Sequence, residues 1–258
     1  SIRRQRQMCI RDRPKPMISV GGQFVLERLI LMLKEVGVTD LLIVVGHHQT
    51  ILTDYFKRGK AFGVNIRYIT QEQPAGIGNA ILQARKHLLA GEYFLLLYAD
   101  IVTSENIFRQ TLQSFSAARG PVAAVCLTPS TQQYGNIFMD QEMRIRKIIE
   151  KPGQPGMGNY VLAGVFVLPS RIFELLDQAD GDMERAWGLL IEKHGLTASI
   201  WEEGWIDLGY PWDILTANRM VMDTWQSASI SKTVEMRGNV SIEGPVRVED
   251  SVVIESGT

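Results

Sequence analysis

Phe94-Leu95-Leu96-Leu97-Tyr98-Ala99-Asp100 is an apolar run that ends on a carboxylate. An unbroken run of this kind reads as a strand buried on both faces. A charge at the end of such a strand is costly to bury without a partner, and Mg²⁺ is a natural one. Asp100 is therefore a candidate metal ligand; an ordinary turn residue is the alternative. Similar runs lie on either side. Residues 41–45 are apolar and closed by Gly46, residues 122–127 form another strand, and residues 64–69 a further one. Helical patterns separate them, over residues 24–36 with Gly37 as the stop, 51–56, 79–89 and 107–118. The alternation predicts an α/β fold, Rossmann-like, with a mostly parallel sheet and helices on both faces. Ligands in such folds sit past the carboxyl ends of strands, where Gln71 and Asp100 both fall.

The second half mixes in shorter strands, clearest at 145–150 and 161–168. Pro169 is expected to open a helix through Leu176, and Pro211 stands near the start of one running to about Met222. The tail changes period. Val234, Val240, Val246 and Val252 recur every six residues, and Met236, Ile242, Val248 and Ile254 repeat two positions later. Two registers held over four hexads suggest hexapeptide repeats of a parallel β-helix; two or three alternating strands are the other reading.

The chain has 258 residues, of which 45% are hydrophobic and 21% charged, with net charge −1. That near-neutral balance argues against a general nucleic-acid or membrane-surface binder. No apolar run approaches the roughly 20 residues that span a bilayer. Cys9 and Cys126 lie far apart without metal-ligand spacing, and read as free thiols of a reducing, cytoplasmic compartment. Adjacent His47 and His48 do not share a helix face, lack an apparent third ligand and read as loop residues. Trp201, Trp205 and Trp212 read as core.

Five short motifs carry the chemistry. Arg13-Pro14-Lys15-Pro16 sets a cation between two prolines, which stiffen its backbone. Gln71-Glu72-Gln73-Pro74-Ala75-Gly76-Ile77-Gly78-Asn79-Ala80 joins an amide able to donate and accept with glycines that permit close backbone approach. Leu97-Tyr98-Ala99-Asp100, Ile149-Glu150-Lys151-Pro152 and Trp205-Ile206-Asp207-Leu208-Gly209 follow. Each is weak alone. In this order and spacing they resemble the sugar-1-phosphate nucleotidylyltransferases, from about Arg13 to the C-terminus.

That resemblance implies transfer of a nucleotidyl group from a nucleoside triphosphate, UTP or dTTP, to a sugar 1-phosphate, with release of pyrophosphate. It implies that Lys15, with Arg13 beside it, meets phosphate. Gln71 would read the base, and Gly76, Ile77 and Gly78 would lie along the nucleotide. Asp100 and Asp207 would hold Mg²⁺. Gly135, Glu150, Lys151 and Asn159 would contact the sugar phosphate. A homo-oligomer is implied for the full-length protein. A regulatory or exchange-factor subunit with a pyrophosphorylase-like domain is the alternative.

The family has an apolar strand and a Gly-rich G-x-G-T-R loop ahead of this point. Residues 1–13 instead hold five arginines and no glycine, and read as foreign sequence. The expected organisation is foreign residues 1–13, a nucleotidyltransferase domain over 14–228 lacking that strand and loop, and the truncated start of a β-helix over 229–258.

Overall fold

The computed structural model describes residues 14–46, 49–71, 75–88, 91–128, 133–150 and 159–256. A 3₁₀ turn at Lys15–Met17 leads into two short antiparallel strands, β1 (Ser19–Val20) and β2 (Gln23–Phe24). Helix α1 (Val25–Glu35) follows, then β3 (Asp40–Val45), α2 (Gln49–Phe56), β4 (Asn65–Thr70), α3 (Ile77–Leu88), β5 (Tyr93–Leu97) and β6 (Ile101–Thr103). Next come α4 (Ile107–Ala118), β7 (Val122–Leu127), β8 (Asn136–Met139), β9 (Ile145–Ile149) and β10 (Tyr160–Pro169). Helices α5 (Ile172–Gln178) and α6 (Met183–His194), strands β11 (Thr197–Trp201) and β12 (Trp205–Asp207), and helix α7 (Pro211–Met222) complete the main body. Among the described residues no helix is long and apolar enough to cross a membrane.

The α/β class and its layers follow from side-chain alternation. Ala124 and Cys126 of β7 enter one buried cluster with α1, while Ala123 and Val125 enter another with α5 and α6. β10 divides in the same way: Val161, Ala163 and Val165 go to the first cluster, Leu162, Phe166 and Leu168 to the second. A sheet with two apolar faces must be covered on both. Fully burying one Leu, Ile or Phe side chain contributes roughly 1.5–3 kcal/mol, so these strands anchor the molecule.

The pairing is mixed. β3 runs parallel to β4, and β11 parallel to β7. The long β10 is antiparallel to β5, β7 and β8. Its register shifts between Leu162 and Phe166, around Gly164, whose φ is +80°. Pro169 does not open a helix. It ends β10 opposite Tyr93, where a missing N–H is tolerated, and the helix starts at Ile172. Helix α6 was not evident in the sequence, because only Ala186, Trp187 and Leu190 are buried among its charged residues. It is capped by Asp182, whose side chain accepts from the Arg185 N–H at 2.8 Å.

The tail holds two parallel pairs. β13 (Ser229–Ile230) meets β15 (Arg247–Val248), and β14 (Glu235–Arg237) meets β16 (Val253–Glu255). In each pair the partners stand three hexads apart, Ser229 opposite Arg247 and Glu235 opposite Val253.

Candidate active site

The prolines around Lys15 give a short 3₁₀ turn, closed by the Met17 N–H donating to the Pro14 carbonyl at 2.8 Å. Buried Met17 pins that turn to the core. Lys15 Nζ is held 3.1 Å from Asp100 Oδ2, with the side chains 33% and 30% exposed. A pair so open to water adds little to stability. Its value is positional: it puts a cation and a carboxylate at the same edge of one cavity of about 940 Å³.

Asp100 and Asp207 reach that cavity through the backbone. β6 and β12 pair antiparallel with Asp207 opposite Ile101, and the Leu208 N–H donates to the Asp100 carbonyl at 2.9 Å. Trp205 fixes β12 from the other side, its indole N–H donating to the Ala163 carbonyl at 2.9 Å. Asp213 caps α7 by accepting from the Tyr210 N–H at 2.6 Å, which holds the loop after Asp207. Asp100, Asp207, Glu150 and Gly135 all line the cavity. Gly135 and Glu150 are neighbours: a Cβ on Gly135 would lie 3.2 Å from Glu150 Oε1.

Tyr98, two residues before Asp100, is a site residue that the motifs do not single out. It lies among the site's acids. Its hydroxyl is pushed well above the usual phenol range by burial first, then by the charges of Glu150, Asp100 and Asp207. Tyr134, edge-on to Trp205 at 5.4 Å, is raised to about 12 by burial and then by Asp207 and Asp213. Both phenols therefore stay protonated at neutral pH and can donate. An aromatic residue two positions before a strand-end carboxylate is the signal that would have pointed to Tyr98.

The remaining expected positions separate. Ile77 lines the cavity; Gln71, Gly76 and Gly78 are not among its lining residues. The Gln71 amide donates to Asn79 Oδ1 at 2.9 Å and to the Gly76 carbonyl at 3.3 Å. Gly76 has φ +90°, which explains a glycine there. Gly78 is buried against the Gly181 carbonyl, 2.1 Å from where a Cβ would stand, so its smallness serves helix packing. Asn159 is exposed, outside the cavity lining, and its carbonyl accepts from the Thr128 N–H at 3.3 Å. Arg13, Lys151, His47, His48 and Cys9 lie outside the described residues. Trp201 is buried as expected, but Trp212 is 62% exposed and stacks on Tyr210 at 4.7 Å. The proline that starts α7 turns Trp212 outward on its first turn.

The donor set suits a hard cation. Among the described residues no group of three or more His, Cys, Asp or Glu gathers. Two carboxylates on adjoining strands are nevertheless what Mg²⁺ uses when substrate phosphates and water supply its other ligands.

Residues 10–224 match the model of the nucleotidyl transferase family. The chain belongs to that family. It is 30% identical over 251 residues to the bifunctional protein GlmU of Methanococcus maripaludis, covering 95% of this chain and 57% of that protein. It is 29% identical to the low-salt glycan biosynthesis nucleotidyltransferase Agl11 of Haloferax volcanii, covering 92% of this chain and 68% of the relative. The chain thus spans little more than half the length of the GlmU protein. A solved UDP-glucose pyrophosphorylase from Acinetobacter baumannii superposes with TM-score 0.70 at 20% identity, over 81% of this chain and 85% of that one. At that identity the likeness establishes the shared fold.

Proposed function

We propose that this chain transfers a nucleotidyl group from a nucleoside triphosphate, UTP or dTTP, to a sugar 1-phosphate, forming a nucleotide-sugar and pyrophosphate. The observation that carries the reading is the Lys15–Asp100 pair, held at 3.1 Å on a cavity that Asp207 and Glu150 also line. A sugar-phosphate oxygen attacks the α-phosphorus in line, and negative charge grows on the bridging and leaving oxygens. Lys15, carried on a proline-stiffened turn, places a cation where that charge develops. Asp100 and Asp207 would hold Mg²⁺, which supplies charge neutralisation when bound. Glu150 beside Gly135 offers a carboxylate acceptor to sugar hydroxyls, and the protonated Tyr98 offers a donor. Gln71 at the end of β4 reads the base in this account, with Gly76 and Ile77 along the nucleotide. The reading includes a cytoplasmic, homo-oligomeric protein, and a tail that begins a parallel β-helix, supported by the pairing of β13 with β15 and β14 with β16.

A pyrophosphate-release assay across nucleotide and sugar-phosphate pairs tests the reaction. Turnover with one pair, abolished by chelating divalent metal, is the expected result. Saturable nucleotide binding without release under any pair would instead place the chain with the non-catalytic regulatory subunits.

A further inference from the structure

Lys15 and Asp207 come from distant parts of the chain, and the site needs them in fixed register. Lys15 belongs to the turn that leads into the β1–β2 hairpin: the Ile18 N–H donates to the Lys15 carbonyl at 3.0 Å, and β1 begins at the next residue. Asp207 ends β12, and Asp213 of α7 holds the loop that follows it. The Lys15–Asp100 ion pair is partly open to water and too weak to hold the register by itself.

The hairpin tip meets α7 directly. Gly21 and Gly22 form its two-residue turn, with φ of +59° and +80°, as a tight hairpin requires. Gly21 is buried against Val221, whose Cγ1 lies 2.6 Å from where a Cβ would stand. Its N–H donates to Asn218 Oδ1 at 2.9 Å, a bond between residues 197 positions apart. The Nδ2 of the same amide donates to the Ile214 carbonyl, one turn back in α7, at 2.8 Å. A backbone N–H can only donate and a carbonyl can only accept, so the two bonds fix the orientation of the amide. Asparagine is neutral to unfavourable inside a helix. Here its second bond gives it a long-range task.

We infer that Asn218 is a positioning residue for the transfer reaction, holding Lys15 in place relative to Asp207 by tying the β1–β2 hairpin to α7. This role rests on the reaction proposed above. Asn218 is not among the residues that line the cavity, so its effect on rate must pass through Lys15. Register matters because a misplacement of about 1 Å at a reacting centre can cost about a hundredfold in rate. Asparagine suits the place by both ends of its amide. Aspartate keeps the acceptor for Gly21 but turns a charge on the Ile214 carbonyl, and leucine, of similar volume, removes both bonds.

The test measures turnover of Asn218→Leu, Lys15→Ala and the double variant, in the whole chain, with the substrate pair that the wild type uses. Asn218→Leu should lower kcat about tenfold and leave KM for both substrates within about twofold. Lys15→Ala should lower kcat about a hundredfold. The double variant should match Lys15→Ala, because Asn218 acts through that lysine. Independent effects would multiply to about a thousandfold and overturn the proposal. Asn218→Asp should recover most of the lost rate, since the Gly21 bond survives. Equal losses of rate and of melting midpoint in the aspartate and leucine variants would make Asn218 structural only. Amide exchange gives a readout without turnover. In Asn218→Leu, exchange should quicken at Gly21 and with it at Met17 and Ile18, whose N–H bonds close the Lys15 turn. Faster exchange at Gly21 alone would overturn the proposal. A wild type that turns over no pair would sink the transfer reaction, and the exchange result would still decide whether the hairpin carries Lys15.

Discussion

Strand β10 and the run 41–45 of β3 are both apolar in sequence, yet they stand differently in the molecule. β10 has partners on both sides, and every residue from Val161 to Pro169 is buried. β3 has one partner among the described residues, and of its apolar run only Leu41 and Val45 are buried. An apolar run states a demand for burial; its neighbours decide whether the demand is met. The sharpest way to break this comparison is a matched pair of truncations. Phe166 is fully buried, with its ring 5.5 Å from Tyr98 and 5.1 Å from Trp187. Phe166→Ala should lower the unfolding free energy by about 3–5 kcal/mol. Ile43→Ala, on half-buried β3, should cost under about 2 kcal/mol, since less contact is lost. Urea titration of both decides it, and equal losses would mean that the two regions are equally consolidated.

The polar rim reads in a different currency from either region. Lys15→Ala should reduce turnover by about a hundredfold or more, the usual loss for one well-placed electrostatic contact in a transition state. It should shift the melt by less than about 1 kcal/mol of stability, because the ion pair with Asp100 is solvated. A variant that melts early but turns over normally would make Lys15 a structural residue.

This contrast also explains what the sequence disclosed. Helix α4 and strand β7 fall on the expected residues, because their apolar spacing is undiluted and their ends are marked by Gly120 and Pro121. The direction of β10 was not legible, since alternation reports burial and is silent on polarity. Asp100 stands out as a carboxylate ending an apolar run, whereas Asp207 is pointed to only by the family resemblance. Their adjacency depends on the β6–β12 ladder, a pairing between residues about a hundred positions apart that no local pattern encodes. Gly78 illustrates a different gap. Its signal, a glycine beside a candidate nucleotide loop, is the same whether the missing Cβ makes room for a ligand or for Gly181.

Gly78→Ala sharpens that distinction. The added methyl meets backbone, the Gly181 carbonyl, and stands 3.1 Å from Leu176 Cδ2. Backbone yields less easily than a side-chain tip, so a loss of about 1–3 kcal/mol is expected from overpacking. Nucleotide affinity, measured by calorimetry well below the melt, should stay within about twofold if the glycine serves packing alone. A large loss of affinity with an unchanged melt would return Gly78 to the nucleotide loop.

The smallest effect concerns the well-consolidated side of the comparison and appears only at high pH. Cys126 sits in β7, 2% exposed, and burial pushes its thiol up to about 12 from an ordinary value of 9.0. The folded state therefore holds this proton more tightly than the unfolded state. The associated stability is fully present below pH 9 and is lost as pH rises through the folded value, so the window is about pH 9 to 12. Tyr134, also raised to about 12, titrates in the same range and adds its own slope. Cys126→Ala removes one contribution and leaves the other. The variant should lose some stability at neutral pH from the small void, and then decline less steeply above pH 9. One proton is at stake, so the two slopes can differ by at most about 1.4 kcal/mol per pH unit. Denaturant titrations at half-unit steps from pH 8 to 10.5, in a Cys9→Ser background, resolve such a difference. Parallel profiles would show that β7 admits water around Cys126, and that this side of the sheet is no tighter than the β3–β4 ribbon.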